Sequence, residues 1–254
     1  MAPSAASLLR GERRIVLLAL AGVTVIAWMY LVVARPGMDM SMPDMPDMPD
    51  MAMPFAAPWV FAMWWVMMLG MMLPSAAPMV LTFASLQRHK RQRDEPYVPT
   101  ALFVAGYLLV WGAFCLAATA AQWLLQASGL LSPMMALAST MLGGAVLILA
   151  GIYQFTPLKQ ACLRLCRSPF AFVLNHWRDG SGGALRMGAS HGLYCLGCCW
   201  VLMTLLFVVG LMNLIWVAVI AAFVFAEKLL PGGVWVGRVG GAAMSAVGIW
   251  LLVQ

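Results

Sequence analysis

Residues 101–126 read ALFVAGYLLVWGAFCLAATAAQWLLQ, a run with no Asp, Glu, Lys or Arg. A soluble helix of that length needs a polar face. An uncharged apolar run of about 18 residues or more is instead the mark of a helix that crosses a bilayer, whose hydrocarbon core takes about 20 residues. Working outward, comparable runs occupy 15–33, 59–86, 134–155, 189–210, 214–230 and 234–253. The composition agrees: of 254 residues, 63% are hydrophobic and 9% charged, and the mean hydropathy is +0.90. Soluble domains are about 45–50% apolar and about 25% charged. A water-soluble globule is excluded, and so is a disordered chain. The run at 15–33 follows Arg10, Arg13 and Arg14 in the manner of a secretory signal, but it exceeds the usual h-region of about 7–15 residues and reads as an uncleaved helix.

The expected fold class is therefore all-α, a polytopic transmembrane helix bundle of about seven spans. Its expected parts are an N-terminal tail with the first span (1–34), an outer loop (35–57), and a six-helix membrane domain (58–254) with an inner loop at 156–188. Seven spans place 14 of the 15 Lys and Arg on one side, with Arg35 alone opposite. The positive-inside rule then sets the N-terminus in and the C-terminus out.

The outer loop reads MDMSMPDMPDMPDMAM over 38–53, with Met-Pro-Asp three times in succession. Proline at every third position favours polyproline II, which would put Met42, Met45 and Met48 on one edge. Met38, Met40, Met51 and Met53 flank the repeat. Thioethers suit Cu(I), and the aspartates concentrate cations. The other reading is a low-complexity linker. In the next span, Met63, Met67 and Met71 share a helical face and Met68 and Met72 form a neighbouring row. These are flexible filler between helices or, alternatively, a thioether path into the bilayer.

The inner side carries thiols. His191-Gly-Leu-Tyr-Cys195-Leu-Gly-Cys198-Cys199-Trp200 opens the fifth span, and Met203 follows. On a helix, His191, Cys195, Cys198, Cys199 and Met203 share one stripe. A second pair, Cys162 and Cys166, lies between Pro157 and Pro169 on what reads as a short amphipathic interfacial helix. Lys159, Arg164 and Arg167 flank it, and nearby cations favour thiolates. Thiolates with one imidazole suit Cu(I) or Zn(II). Four cysteines would close a zinc site, and two or three would make a lower-coordinate Cu(I) site. Packing is the competing reading for cysteines in apolar helices, and it is the reading for the isolated Cys115. His89 and His176 read as solvated loop residues. Glu227-Lys228, at the inner end of the sixth span, is either a functional site or an interfacial ion pair.

Several of these residues resemble a bacterial family of unknown function, described as predicted metal-binding integral membrane proteins, some of whose members are named copper chaperones. The resemblance rests on Met71-Met72-Leu73-Pro74-Ser75, Tyr153-Gln154, Pro157-Leu158-Lys159, Cys162, Cys166-Arg167, Pro169, Gly192, Cys195, Gly197-Cys198-Cys199-Trp200, Met203 and Glu227-Lys228. It covers 58–253 and leaves out the first span and the Met-Pro-Asp loop. It implies metal handling at the cysteines and a multi-pass place in the bacterial inner membrane.

Together these features predict a copper-handling protein that binds, delivers or transfers Cu(I), with outer methionines and an inner cysteine cluster. Its expected partners are the lipid bilayer and a copper donor or acceptor protein, or a membrane cuproenzyme. Cys195-x-x-Cys198 also fits a transmembrane thiol–disulfide carrier, and a structural subunit of a larger membrane complex is the third reading. No phosphate-binding loop, catalytic triad or paired carboxylates are visible, so no catalytic residue is assigned. The basic loops are explained by orientation, not by nucleic acid.

Overall fold

The chain is described by a computed structural model covering residues 5–34, 53–131, 137, 139–211 and 213–254. These residues form the helices α1 (Ala5–Ala34), α2 (Met53–Gln92), α3 (Thr100–Ala127), α4 (Thr140–Tyr153), α5 (Pro157–Arg167), α6 (Pro169–His176), α7 (Gly180–Val209), α8 (Leu214–Leu229) and α9 (Gly233–Val253). Their only extended pairing, among the described residues, is an isolated bridge between Leu131 and Leu137. The all-helical class holds. Five helices, α1, α2, α3, α7 and α9, are long and apolar enough to cross a membrane, and the count is six if α4 and α5, bent by 63° at their junction, form one span. Helix α8 has 16 residues and α4 has 14.

Turn chemistry sets the helix ends. Pro157 and Pro169 occupy first-turn positions of α5 and α6, where the missing N–H is not needed. The Thr156 hydroxyl accepts from the Lys159 N–H and caps α5. Gly210 ends α7 with a φ of 87°, which L side chains rarely adopt. Helix α2 runs through Pro58, Pro74 and Pro78 without a break.

Two differences from the expected spans matter for the site. Helix α4 begins at Thr140, where the Ser139 side chain accepts from the Leu142 N–H, and not near 134. Helix α7 begins at Gly180, well before the expected start at 189. The sequence there is rich in glycine, which argues against helix on propensity, and it carries Arg186, which argues against an apolar span. Tertiary packing overrides that bias, because Gly188 of α7 rides on the Phe103 carbonyl of α3 and Gly106 of α3 rides on the Leu185 carbonyl. A Cβ at either position would strike backbone, so the small residues draw α3 and α7 into close contact. The segment 156–188 therefore holds α5, α6 and the first turns of α7.

The interior divides in two. One apolar cluster runs from Met63 through Met72 on α2 to Tyr107 and Trp111 on α3 and 195–207 on α7. Within it the Trp64 indole donates to the Gln122 amide oxygen at 2.8 Å. A second cluster, with Met79, Phe83, Phe103, Phe172 and Met187, lies beyond it towards the ends of α2, α6 and α7. At that end Lys90 bonds Asp179 at 2.6 Å and lies over the Trp177 ring. The hydrogen bond from Lys90 holds the exposed Asp179 carboxyl below its ordinary range. The methionine row of α2 faces inward, with Met63, Met67, Met68, Met71 and Met72 all buried. Helix α1 lies along α2, and its Trp28 indole donates to the Gly70 carbonyl at 3.3 Å.

Candidate metal centre

The site is built where α2, α3, α5, α7 and α8 meet. Cys195, Cys198 and Cys199 lie about halfway along α7, and all three are buried. Helical geometry places them one turn apart or less. The Cys198 and Cys199 thiols both donate to the Cys195 carbonyl, at 3.0 and 2.9 Å, which fixes their rotamers on one side of α7. Helix α5 crosses that side and brings Cys166 Sγ to 4.0 Å from Cys198 Sγ. Helix α2 brings Met72 Sδ to 4.0 Å from Cys199 Sγ. Two sulfur pairs, each joining two helices, thus frame Cys195.

Cys195 carries the polar contacts. The Tyr107 hydroxyl is 3.2 Å from its sulfur and also reaches the Met72 carbonyl at 3.4 Å. The Lys228 ammonium is 3.0 Å from the same sulfur, 3.2 Å from Ser75 Oγ and 4.0 Å from Met72 Sδ. An ammonium can only donate, so at each of these contacts the sulfur or hydroxyl is the acceptor.

Next to this centre lies a buried ion pair. Lys159 of α5 donates to both carboxylate oxygens of Glu227 of α8, at 2.7 and 2.9 Å, and to the Gln154 amide oxygen. Neither side chain reaches solvent, with Lys159 0% and Glu227 1% exposed. The pair locks α5 against α8, and Arg167 adds bonds to the Leu230 and Pro231 carbonyls. This lock holds Cys166 over α7. Tyr153 closes the other flank by donating to the Gly197 carbonyl.

The residues expected at the site distribute as follows. Cys166, Cys195, Cys198 and Cys199 converge. Cys162 is half-buried against Gly197, where a Cβ would lie 2.8 Å from its sulfur. His191, one turn before Cys195, stacks on Phe103 and Tyr107 and meets Phe172 edge-on, and its buried Nδ1 has no hydrogen-bond partner. Met203 is buried in the same core one turn beyond Cys199. Met38, Met40, Met42, Met45, Met48 and Met51 lie outside the described residues; Met53 starts α2, but its side chain is not among those described. His176 departs from the solvated-loop expectation: it sits in α6, stacked on Phe172 at 4.7 Å and bonded to Tyr194 at 3.2 Å. Cys115 is a buried free thiol in α3.

Sequence reading did not assign Met72, Tyr107, Ser75 or Lys159 to the site. Met72, Ser75 and Lys159 entered only as residues of the family resemblance, Met72 also as one of five methionines on an alternative thioether path and Lys159 as a cation flanking Cys162. Tyr107 sits 88 residues from Cys195 in the chain, and no local signal links the two.

Among the described residues, no group of three or more His, Cys, Asp or Glu side chains is arranged to hold one ion. The available donors are sulfur pairs. At a metal–thiolate bond of about 2.3 Å, sulfurs 4.0 Å apart subtend about 120° at an ion between them. That opening suits a soft ion with two or three sulfur ligands. A closed zinc site requires four ligands in a tetrahedron, and these pairs do not supply it.

A family model described as PpoB2, copper chaperone, matches residues 61–251. Neither a curated protein nor a solved structure matches the chain. The matched region spans well over half of the chain and contains every side chain named at the centre, so the chain belongs to the PpoB2 copper chaperone family.

Proposed function

We propose that this member of the copper chaperone family is a multi-pass membrane protein that takes Cu(I) as cargo at its buried sulfur centre and passes it to a partner. The observation that carries the reading is the pair of cross-helix sulfur contacts, Cys198–Cys166 and Cys199–Met72, each at 4.0 Å. Thiolate and thioether donors suit Cu(I), although thiolates bind Zn(II) as well. The ligands in this reading come from the sulfur pairs Cys198–Cys166 and Cys199–Met72, two or three donors at a time, with Cys195 between them and the half-buried Cys162 as the point of arrival or departure. His191 and Met203 stand one turn to either side. The outer methionines, Met38 to Met53, would gather the ion before it enters, and the buried methionines of α2, Met63 to Met72, would carry it inward. Zn(II) is the weaker candidate because the donors come in pairs.

In the same reading the chain crosses the bacterial inner membrane seven times, with α4 and α8 as short crossings and α5 at the inner interface. The N-terminus is inside and the C-terminus outside, which keeps the basic segments on the inner side. A copper donor or acceptor protein, or a membrane cuproenzyme, is the partner.

The alternative of a thiol–disulfide carrier is disfavoured by access. Exchange needs a thiolate that a partner's disulfide can reach, and Cys195, Cys198 and Cys199 are no more than 2% exposed.

Titration of the purified full chain with Cu(I) against a chromophoric chelator tests the reading. The wild type should withdraw copper from the chelator, and Cys198→Ser with Cys199→Ser should not. Equal competition by the double variant would overturn it.

A further inference from the structure

We propose that Lys228 sets the valence of the ion this chain accepts: its ammonium is a fixed positive charge on the sulfur centre that admits a monovalent soft cation and disfavours divalent ones. The inference rests on the reading of the sulfur centre as a metal site. It concerns a residue that has no lone pair to offer as an ammonium and so is not itself a ligand.

Lys228 lies in the last turn of α8, where a lysine ordinarily extends its charge to the interface. Here it does the opposite. The side chain is buried, and Nζ points inward to Cys195 Sγ at 3.0 Å, Ser75 Oγ at 3.2 Å and Met72 Sδ at 4.0 Å. The neighbouring carboxylate does not face it, because Glu227 is turned towards α5 with both oxygens on Lys159. Successive side chains on a helix diverge by about 100°, which lets adjacent residues serve separate pockets. The positive charge therefore meets sulfur and a neutral hydroxyl.

An ion bound between Cys199 and Met72, or on Cys195, lies within a few ångströms of Nζ. Repulsion between the ammonium and the ion grows in proportion to the ion's charge, so a divalent ion suffers twice the penalty of a monovalent one at the same place. Water screens little in a buried site. The ammonium also offsets one unit of whatever negative charge the deprotonated thiols bring to the site, which weakens the pull on a divalent ion more than on a monovalent one. Soft donors alone do not separate Cu(I) from Zn(II), since thiolates bind both. Lys228 supplies the missing discrimination.

The test uses the full chain in detergent with Ag(I) as a redox-inert monovalent probe and Zn(II) as the divalent one, each measured by competition with a chelator. Lys228→Met and Lys228→Gln should raise the affinity for Zn(II) relative to Ag(I) by at least about tenfold. Lys228→Arg, which keeps the charge, should hold the wild-type ratio. If Lys228→Met does not fold, Lys228→Gln carries the comparison, since it keeps a donor for Ser75. An unchanged ratio in folded charge-removing variants overturns the proposal while leaving the sulfur site standing. A wild type that binds no Ag(I) overturns both the proposal and the reading beneath it.

Discussion

Lys159 and Lys228 are both buried, and the residue that neutralises the first is the chain neighbour of the second. Lys159 has a carboxylate with both oxygens in reach and a carboxamide besides. Lys228 has two sulfurs and a hydroxyl. The first set leaves little for an added ion to do: charge is matched and the donors are used. The second leaves a cation beside thiols that bind metals. The contrast separates a charge that fastens helices from a charge that conditions chemistry, although both arise from lysines in apolar segments.

The largest effect that sharpens this contrast is on stability. Glu227→Gln leaves the Lys159 ammonium buried without its counter-charge, and such losses run to about 3–5 kcal/mol. The thermal midpoint of the full chain should fall accordingly. Lys228→Met removes an ammonium without stranding a carboxylate, so its midpoint should fall clearly less. Equal losses would show that Lys228 is as structural as Lys159, and the distinction would be broken.

Cargo binding should respond in the reverse order. Met72→Leu conserves volume and should cost less than about 1.5 kcal/mol in stability, yet it removes the sulfur 4.0 Å from Cys199 and should weaken Cu(I) in chelator competition. Glu227→Gln that still folds should change Cu(I) affinity less than Met72→Leu does. A smaller effect comes from Tyr107→Phe, which removes the hydroxyl that contacts Cys195 and the Met72 carbonyl. About 1 kcal/mol in stability is expected, the net worth of one hydrogen bond. The smallest change is Gly197→Ala. Its Cβ would press on the end of the Cys162 side chain, which can swing away. Stability should hardly move, while alkylation of Cys162 should become faster. An unaltered alkylation rate would mean that Gly197 does not hold that thiol in place.

Much of this was legible in the sequence, and the reasons differ from part to part. Helix class followed from uncharged runs such as 101–126, since chain length against bilayer thickness requires no partner information. The sequence reading expected Cys162 and Cys166 together to meet Cys195, Cys198 and Cys199; the structure brings Cys166 to Cys198 and leaves Cys162 against Gly197. The start of α7 was not legible, because Gly188 and Gly106 promote helix contact only when α3 is present to receive them. Glu227 and Lys228 stood out as costly charges. Their opposite allegiances did not, because these depend on which helix lies on which side of α8. Met72 was hidden for the same reason: five buried methionines look alike until one of them meets a thiol.

The most direct test is X-ray absorption at the copper edge on the full chain loaded with one equivalent of Cu(I). The account predicts a first shell of sulfur alone at about 2.3 Å, with fewer sulfurs in Met72→Leu and in Cys198→Ser. A shell dominated by nitrogen or oxygen, or a sulfur shell indifferent to both substitutions, would contradict it.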